Sequence, residues 1–229
     1  MPSYEETYAR HADVYDELVR HEDRDGNVRA FLTRAIPAAV DRIVELGCGT
    51  GRVTRMLVDR AVSVHAYDGS AHMIAFARAT LPDRQVSFAV ADNAQIPEPD
   101  GAADVSVAGW AIGHVTGFFP DAWEHHARAA LDEMRRITRR GGRMIVLETL
   151  GTCVDEAAPP NDLLHAYYTL LEGALGFHRE VLPTPYAFPT KERAVEVMGA
   201  FFGERMAERV RAREGAEIPE WTGAWVATA

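Results

Sequence analysis

The hydrophobic pattern changes period twice along the chain. Up to residue 36, apolar side chains recur at three- and four-residue steps, which predicts helices. Tyr8, Tyr15, Leu18 and Val19 share one face, with Ser3 and Glu6 spaced as a capping box. Asn27 is placed to cap a second helix through Val28, Phe31 and Leu32, which Pro37 ends. Short apolar runs then alternate with helical stretches. The runs are Arg42–Leu46, Val62–Asp68, Val86–Asp92, Ala103–Gly109 and Arg143–Glu148. Helices are expected from Arg52, over Met73–Leu81 and over Ala122–Arg139, with Gly141-Gly142 as a turn. Strands alternating with helices at this spacing mean a parallel sheet covered on both faces.

The last third reads differently. A helix is expected from Asn161 to Leu175, closed by Gly176. Arg179–Phe188 reads as an edge strand, because Pro183 and Pro185 cannot sit in a central one. Thr190–Arg213 reads as one broken or two short helices, and Trp221–Thr228 as a final strand. No linker composition interrupts the 229 residues, so one domain is expected. It would comprise helices over 1–36, a core over 40–150 and a C-terminal part over 151–229.

Charge narrows the function. The chain carries 24 Lys and Arg against 34 Asp and Glu, a net charge of −10. That balance argues against an electrostatic grip on nucleic acid. Every basic residue but Lys191 is arginine, which reads as compositional bias. The two cysteines, Cys48 and Cys153, are too few for a thiolate metal site and fit a reduced cytoplasmic protein. No apolar run is long enough to span a membrane, and the polar N-terminus is no signal peptide. No metal-binding motif occurs; His125 and His126 are adjacent on a helix and face apart, and His65 lies within a strand.

The strongest local signal is Glu45-Leu46-Gly47-Cys48-Gly49-Thr50-Gly51. A strand leads into glycines that permit positive φ, and a helix N-terminus follows. The G-x-G-x-G spacing differs from the dinucleotide fingerprint, which disfavours an NAD-dependent oxidoreductase. Asp68 and Asp92 end the second and third strands, at the sheet edge where open α/β sheets bind ligands. A carboxylate at the first place can accept ribose hydroxyls, and one at the second an adenine amino group. An isolated Asp at either place is equally read as a helix cap.

Together with Tyr67–Met73, Ala91–Pro97, Asp104–Val107 and Arg139–Arg143, this run resembles the class I S-adenosylmethionine-dependent methyltransferases of small-molecule type, over roughly residues 40–150. The resemblance implies a Rossmann-like, doubly wound, seven-stranded sheet of order 3-2-1-4-5-7-6 with the last strand antiparallel. An N-terminal helical lid and a C-terminal helical insertion at Thr190–Arg213 would complete it. It implies S-adenosyl-L-methionine as cofactor and S-adenosyl-L-homocysteine as product. Glu45, Gly47, Cys48, Gly49 and Gly51 would surround the methionine part, and Asp68 the ribose. Gly69 and Met73 would flank the adenine, and Asp92, Asn93 and Ala94 would address its edge. Gly109 and Trp110 would lie under the sulfonium.

Methyl transfer from a sulfonium is an in-line displacement that needs a base only when the nucleophile must lose a proton. His114, five residues past Gly109, is the candidate base; local packing is the competing role. Tyr15 is the candidate lid residue, because Tyr15-Asp16 is similar to a pair found before the core in small-molecule methyltransferases; Tyr4 and Tyr8 are further candidates. The aromatic residues Trp110, Phe118, Phe119 and Trp123, with Tyr167, Tyr186, Phe201, Phe202 and Trp221 from the last third, are candidate pocket walls. Their number suggests a small, partly apolar acceptor. Gly109-Trp110-Ala111-Ile112 replaces the proline-rich tetrapeptide of enzymes that methylate nucleic-acid amino groups. Binding of the cofactor without methyl transfer, as a sensor, a partner or a repurposed enzyme, is the alternative reading. The oligomeric state is open, a homodimer included.

Overall fold

A computed structural model describes residues 12–82 and 84–229, the first three by backbone alone. Ser3, Tyr4, Glu6 and Tyr8 lie outside the described residues.

The chain enters through helix α1 (Ala12–Arg20) and helix α2 (Asn27–Ala35), then strand β1 (Arg42–Leu46). The first turn of α2 is capped by Asp23, not Asn27. Its carboxylate accepts the N–H groups of Asn27 (2.7 Å) and Val28 (3.0 Å). Asn27 instead donates its side-chain amide to the Pro183 carbonyl. Ile36 is extended, as a residue before proline must be, and the helix stops there.

After β1 come helix α3 (Thr54–Leu57) with a 3-10 turn over Val58–Arg60, strand β2 (Ser63–Asp68), helix α4 (Ala71–Thr80), strand β3 (Val86–Val90) and strand β4 (Ala103–Gly109). A 3-10 turn (Ile112–His114), helix α5 (Val115–Phe118) and helix α6 (Trp123–Ile137) lead to strand β5 (Thr138–Thr152). The helix expected from Arg52 begins two residues later, because Gly51, at φ +86°, still belongs to the turn. Gly141 and Gly142 are not a free turn. They lie inside β5, where the register against β4 shifts between Thr138 and Arg143. Gly142 is indispensable there, since a Cβ would meet the Asp104 carbonyl at 2.6 Å.

The remaining elements are helix α7 (Asp162–Glu172), strands β6 (His178–Pro183) and β7 (Tyr186–Ala187), helices α8 (Lys191–Phe202) and α9 (Glu204–Ala212), and strands β8 (Glu217–Ile218) and β9 (Glu220–Thr228). Asn161 caps α7 through the Leu164 N–H, and the helix closes at Gly173 rather than Gly176. The expected edge strand over Arg179–Phe188 is two strands. Pro183 and Pro185 supply no N–H to a ladder, so the chain leaves the sheet there and Tyr186–Ala187 pairs with β8 instead.

The sheet order is β3-β2-β1-β4-β5-β9-β6. β1 to β5 run parallel, and β9 is antiparallel to both neighbours, β5 and β6. This is the expected order, with β9 as the seventh strand of the sheet. Side-chain alternation divides the sheet between two cores. Val44, Ala108, Met144 and Val146 pack toward α6 and α7, while Ile43, Val105, Val107, Ile145 and Leu147 pack toward α2 and α3. A third cluster joins Leu18 of α1 to Val197, Met198 and Val210 of the α8–α9 insertion. The carboxyl ends of β1, β4 and β5 open beneath that cluster.

Candidate functional site

β1 delivers its chain into a loop whose three glycines all take left-handed φ: Gly47 at +69°, Gly49 at +53° and Gly51 at +86°. Only glycine adopts such values without steric cost. A Cβ on Gly47 would overlap the Ala111 methyl at 2.3 Å, so the loop lies directly against the segment after β4. Asp68, at the end of β2, ties the loop down. Its Oδ2 accepts the Gly49 N–H and its Oδ1 the Ser70 N–H, both at 2.8 Å. Burial pushes this carboxyl up, and the two N–H bonds oppose the shift.

Glu45 is almost fully buried behind the loop, where the Thr54 hydroxyl donates to it at 2.6 Å. Burial raises its pKa to about 8. The neighbouring Cys48 is likewise buried, and its thiol is pushed well up. Met73 is held by the Ser70 cap of α4, and its side chain is buried. Gly69 has open space where a side chain would stand; the nearest atom is the Ala91 carbonyl at 4.0 Å.

Asp92 is exposed after β3 and accepts the Ala94 N–H at 2.8 Å. Asn93 turns inward beside Gly47, and its buried Oδ1 has no hydrogen-bond partner among the described residues. Glycine loop, Asp68 and Asn93 thus form one cradle, with a buried acceptor at its wall and space over Gly69.

On the other side of the glycine loop, a cavity of 770 Å³ opens between α1, the post-β4 segment and the insertion. Gly109 leaves no room for a Cβ against Val53. Trp110 follows with φ +50°, a strained value for a bulky residue. Its N–H is fixed on the Leu147 carbonyl, and the Arg52 guanidinium lies 3.8 Å over its ring. Arg52 in turn pairs with Glu22, donating from Nη1 to Oε2 at 3.0 Å with Nη2 2.9 Å from Oε1. Tyr15 lies 3.6 Å from where a Gly49 side chain would begin, so it stands between the glycine loop and the cavity. Burial pushes its hydroxyl up to about 12. His114 also lines the cavity and stacks on Phe118. Its imidazole pKa is lowered by burial, with a hydrogen bond to the Ala111 backbone opposing.

Of the aromatic walls expected from sequence, Trp110, Phe118, Tyr186, Phe201 and Phe202 line the cavity. Tyr167, Trp123 and Trp221 belong to the core, and Phe119 stacks outside on His126. The structure adds polar groups that the sequence reading passed over: Glu22 with Arg52, and Glu148 and Glu220 from β5 and β9. Glu148 was legible on the logic that found Asp68, since it too closes an apolar run, although β5 continues past it to Thr152. Elsewhere, His65 pairs with Glu98 beneath the sheet. Among the described residues, no group of three or more His, Cys, Asp or Glu side chains is placed to hold a metal ion, and no helix is long and apolar enough to cross a membrane.

An open, mostly parallel sheet of this order, with its ligand cradle at the first crossover, defines a Rossmann-like cofactor-binding fold. Residues 44–146 match the family model described as a methyltransferase domain. A demethylmenaquinone methyltransferase of Beutenbergia cavernae is 27% identical over 186 residues, 77% of this chain and 67% of that one. One from Thermus thermophilus is 29% identical over 188 residues, 75% of this chain and 78% of that one. Other curated relatives are matched over only 40% of their length. Among solved structures, a SAM-dependent methyltransferase of Aquifex aeolicus shares the fold, with a TM-score of 0.56 at 11% identity over 94% of this chain and 97% of that one. Over residues 44–146 the chain is thus similar to the methyltransferase domain family, and its fold is the one that the Aquifex aeolicus enzyme shares.

Proposed function

We propose that the chain transfers a methyl group from S-adenosylmethionine to a small acceptor with an apolar body, seated in the 770 Å³ cavity. The observation that carries this reading is the continuity of cradle and cavity. The glycine loop bonded to Asp68 lies on one side of Tyr15 and Trp110, and an aromatic cavity on the other. The cradle fits the cofactor: glycines whose backbone a ligand can approach, an unpartnered Asn93 oxygen and open space over Gly69.

Gly47, Cys48, Gly49 and Gly51 hold the methionine end, with Glu45 supporting the loop from behind through Thr54. Asp68 holds the ribose. Gly69, Met73, Asp92, Asn93 and Ala94 enclose the adenine. Gly109 and Trp110 floor the reacting centre. When bound, the cofactor supplies a methyl group already activated by the sulfonium charge. The protein's task is then to align the acceptor and exclude water. Tyr15 covers the junction. His114, kept neutral by burial, accepts a proton where the acceptor must lose one.

Calorimetric titration with S-adenosylmethionine and S-adenosylhomocysteine, with NAD as control, tests the reading. Both should bind wild type, and Asp68→Ala should weaken them at least about tenfold, the loss expected for hydrogen bonds to a charged group. Binding of NAD instead, or of neither sulfur compound, would sink the proposal. Release of S-adenosylhomocysteine in the presence of an acceptor separates transfer from binding alone.

A further inference from the structure

The cavity contains three buried carboxyls, and only one of them has a cation. Glu22 is paired with Arg52. Arg209 stands exposed at the rim and donates to the Cys153 carbonyl. His114 is held neutral by burial. Glu148 and Glu220, each 4% exposed or less, have no ion pair among the described residues. The rest of the wall is mostly aromatic and aliphatic, with Thr116, Thr149, Thr152 and Asn161 as neutral polar groups.

Glu148 is fixed by one oxygen, and Glu220 by the Thr149 hydroxyl with the Thr152 hydroxyl beside it. Glu148 Oε1 accepts the Gly113 N–H at 2.7 Å. The absence of a side chain at Gly113 is what admits the carboxyl, since a Cβ there would lie 2.8 Å from Oε2. Glu220 Oε1 accepts the hydroxyl of Thr149, the residue after Glu148, at 2.7 Å. Glu220 Oε2 is buried with no hydrogen-bond partner among the described residues. The two groups come from the paired strands β5 and β9 and line the same cavity. Leaving a buried carboxyl oxygen without a donor is costly, so such an oxygen at a cavity wall points to a ligand that brings one.

We propose that the acceptor carries a basic nitrogen on an aromatic or apolar body, and that Glu148 and Glu220 receive it as an ammonium. This rests on the methyltransferase reading and names its substrate class. An ammonium supplies several N–H donors and the missing positive charge at once, and the cavity's aromatic faces favour a cation near them. A neutral alcohol of the same shape supplies one donor and no charge. Glu148 faces Tyr167 and Tyr168, and Glu220 faces Glu22, Arg52, Tyr168 and Tyr186; among the described residues the guanidinium nearest Glu220, that of Arg52, is already engaged by Glu22. Burial keeps both carboxyls protonated well above the usual range, and a bound ammonium is what would ionise them. Before methyl transfer the nitrogen must shed one proton, which the neutral ring of His114 in the same cavity accepts.

The test uses the full chain saturated with S-adenosylhomocysteine. Its binding is measured first in every sample. A series of phenylalkylamines of increasing chain length is then titrated beside the corresponding phenylalkanols. At least one amine should bind ten or more times as tightly as its alcohol. In Glu148→Gln and Glu220→Gln, and more so in the double variant, that preference should fall to about twofold or less, with S-adenosylhomocysteine affinity unchanged. Alcohols binding as well as amines, a preference that survives in the double variant, or no binding of either series to protein that binds S-adenosylhomocysteine would overturn the proposal. Failure to bind S-adenosylhomocysteine at all would instead be a failure of the methyltransferase reading.

Discussion

Asp68 is the residue on which the cradle turns. One carboxyl holds the Gly49 N–H and the Ser70 N–H, so the end of β2 fixes the loop that leaves β1. His114 is fixed differently, by burial within the 3-10 turn after β4 and by stacking on Phe118. Because burial lowers its pKa, the ring is uncharged at neutral pH and able to take a proton. His114→Ala should therefore lower kcat by about a hundredfold, the lower end of what a positioned base contributes, with cofactor affinity within twofold of wild type. Single-turnover kinetics beside calorimetry checks this, and a variant with wild-type kcat excludes His114 as the base. Asp68 and His114 were both legible as residues because each follows a strand at its carboxyl end. Trp110 was legible as a position, but its left-handed backbone and its stack on Arg52 depend on contacts between segments far apart in sequence.

At the scale of elements, Asp23 shows how a local rule yields to a neighbouring turn. Asn27 has a favoured capping residue's chemistry, yet it is drawn to Pro183, and Asp23, itself at φ +57°, reaches the first N–H groups of α2. Loss of a cap costs about 1 kcal/mol. Asp23→Ala should therefore lower the melting temperature by roughly 2–4 °C, the shift expected per kcal/mol at this size. Asn27→Ala, which removes an exposed bond, should change it less; thermal unfolding of the two variants side by side decides between the caps. The break between β6 and β7 was half legible. The prolines announced an edge, but that Tyr186–Ala187 would pair with β8 follows from where α8 and α9 carry the chain.

Across the whole molecule, the buried acids set the pH dependence of stability. Glu45 and Glu148 are both raised to about 8 by burial, and Glu220 is raised as well. Between pH 6.5 and 8 the folded chain binds more protons at these groups than the unfolded chain, so stability falls as pH rises through that window. His114 acts in the opposite sense, but only below its ordinary value of 6.5. Glu98, Asp104 and Glu133 are lowered and matter only under acid conditions. The melting temperature should thus be higher at pH 6.5 than at pH 8. Glu148→Gln should reduce the difference, because it removes one of the protons that the folded state retains. A flat profile in wild type would mean that these carboxyls ionise without penalty.

The sequence by itself determined the sheet order, the likeness to methyltransferases over residues 44–146 and the glycine loop with its positive φ angles. These are encoded locally: short apolar runs, glycines where φ must be positive, and carboxylates at or just past strand ends. Tertiary structure decided what the cavity presents to an acceptor. Glu22, Arg52, Glu148, Glu220 and the insertion's Phe201 and Phe202 lie far apart along the chain, and no local pattern marks them as neighbours. Their meeting is a consequence of packing α1 against α8 and β5 against β9, which also removes water from the carboxyls. Burial, charge pairing and the left-over hydrogen-bonding capacity of a side chain are properties of that packing.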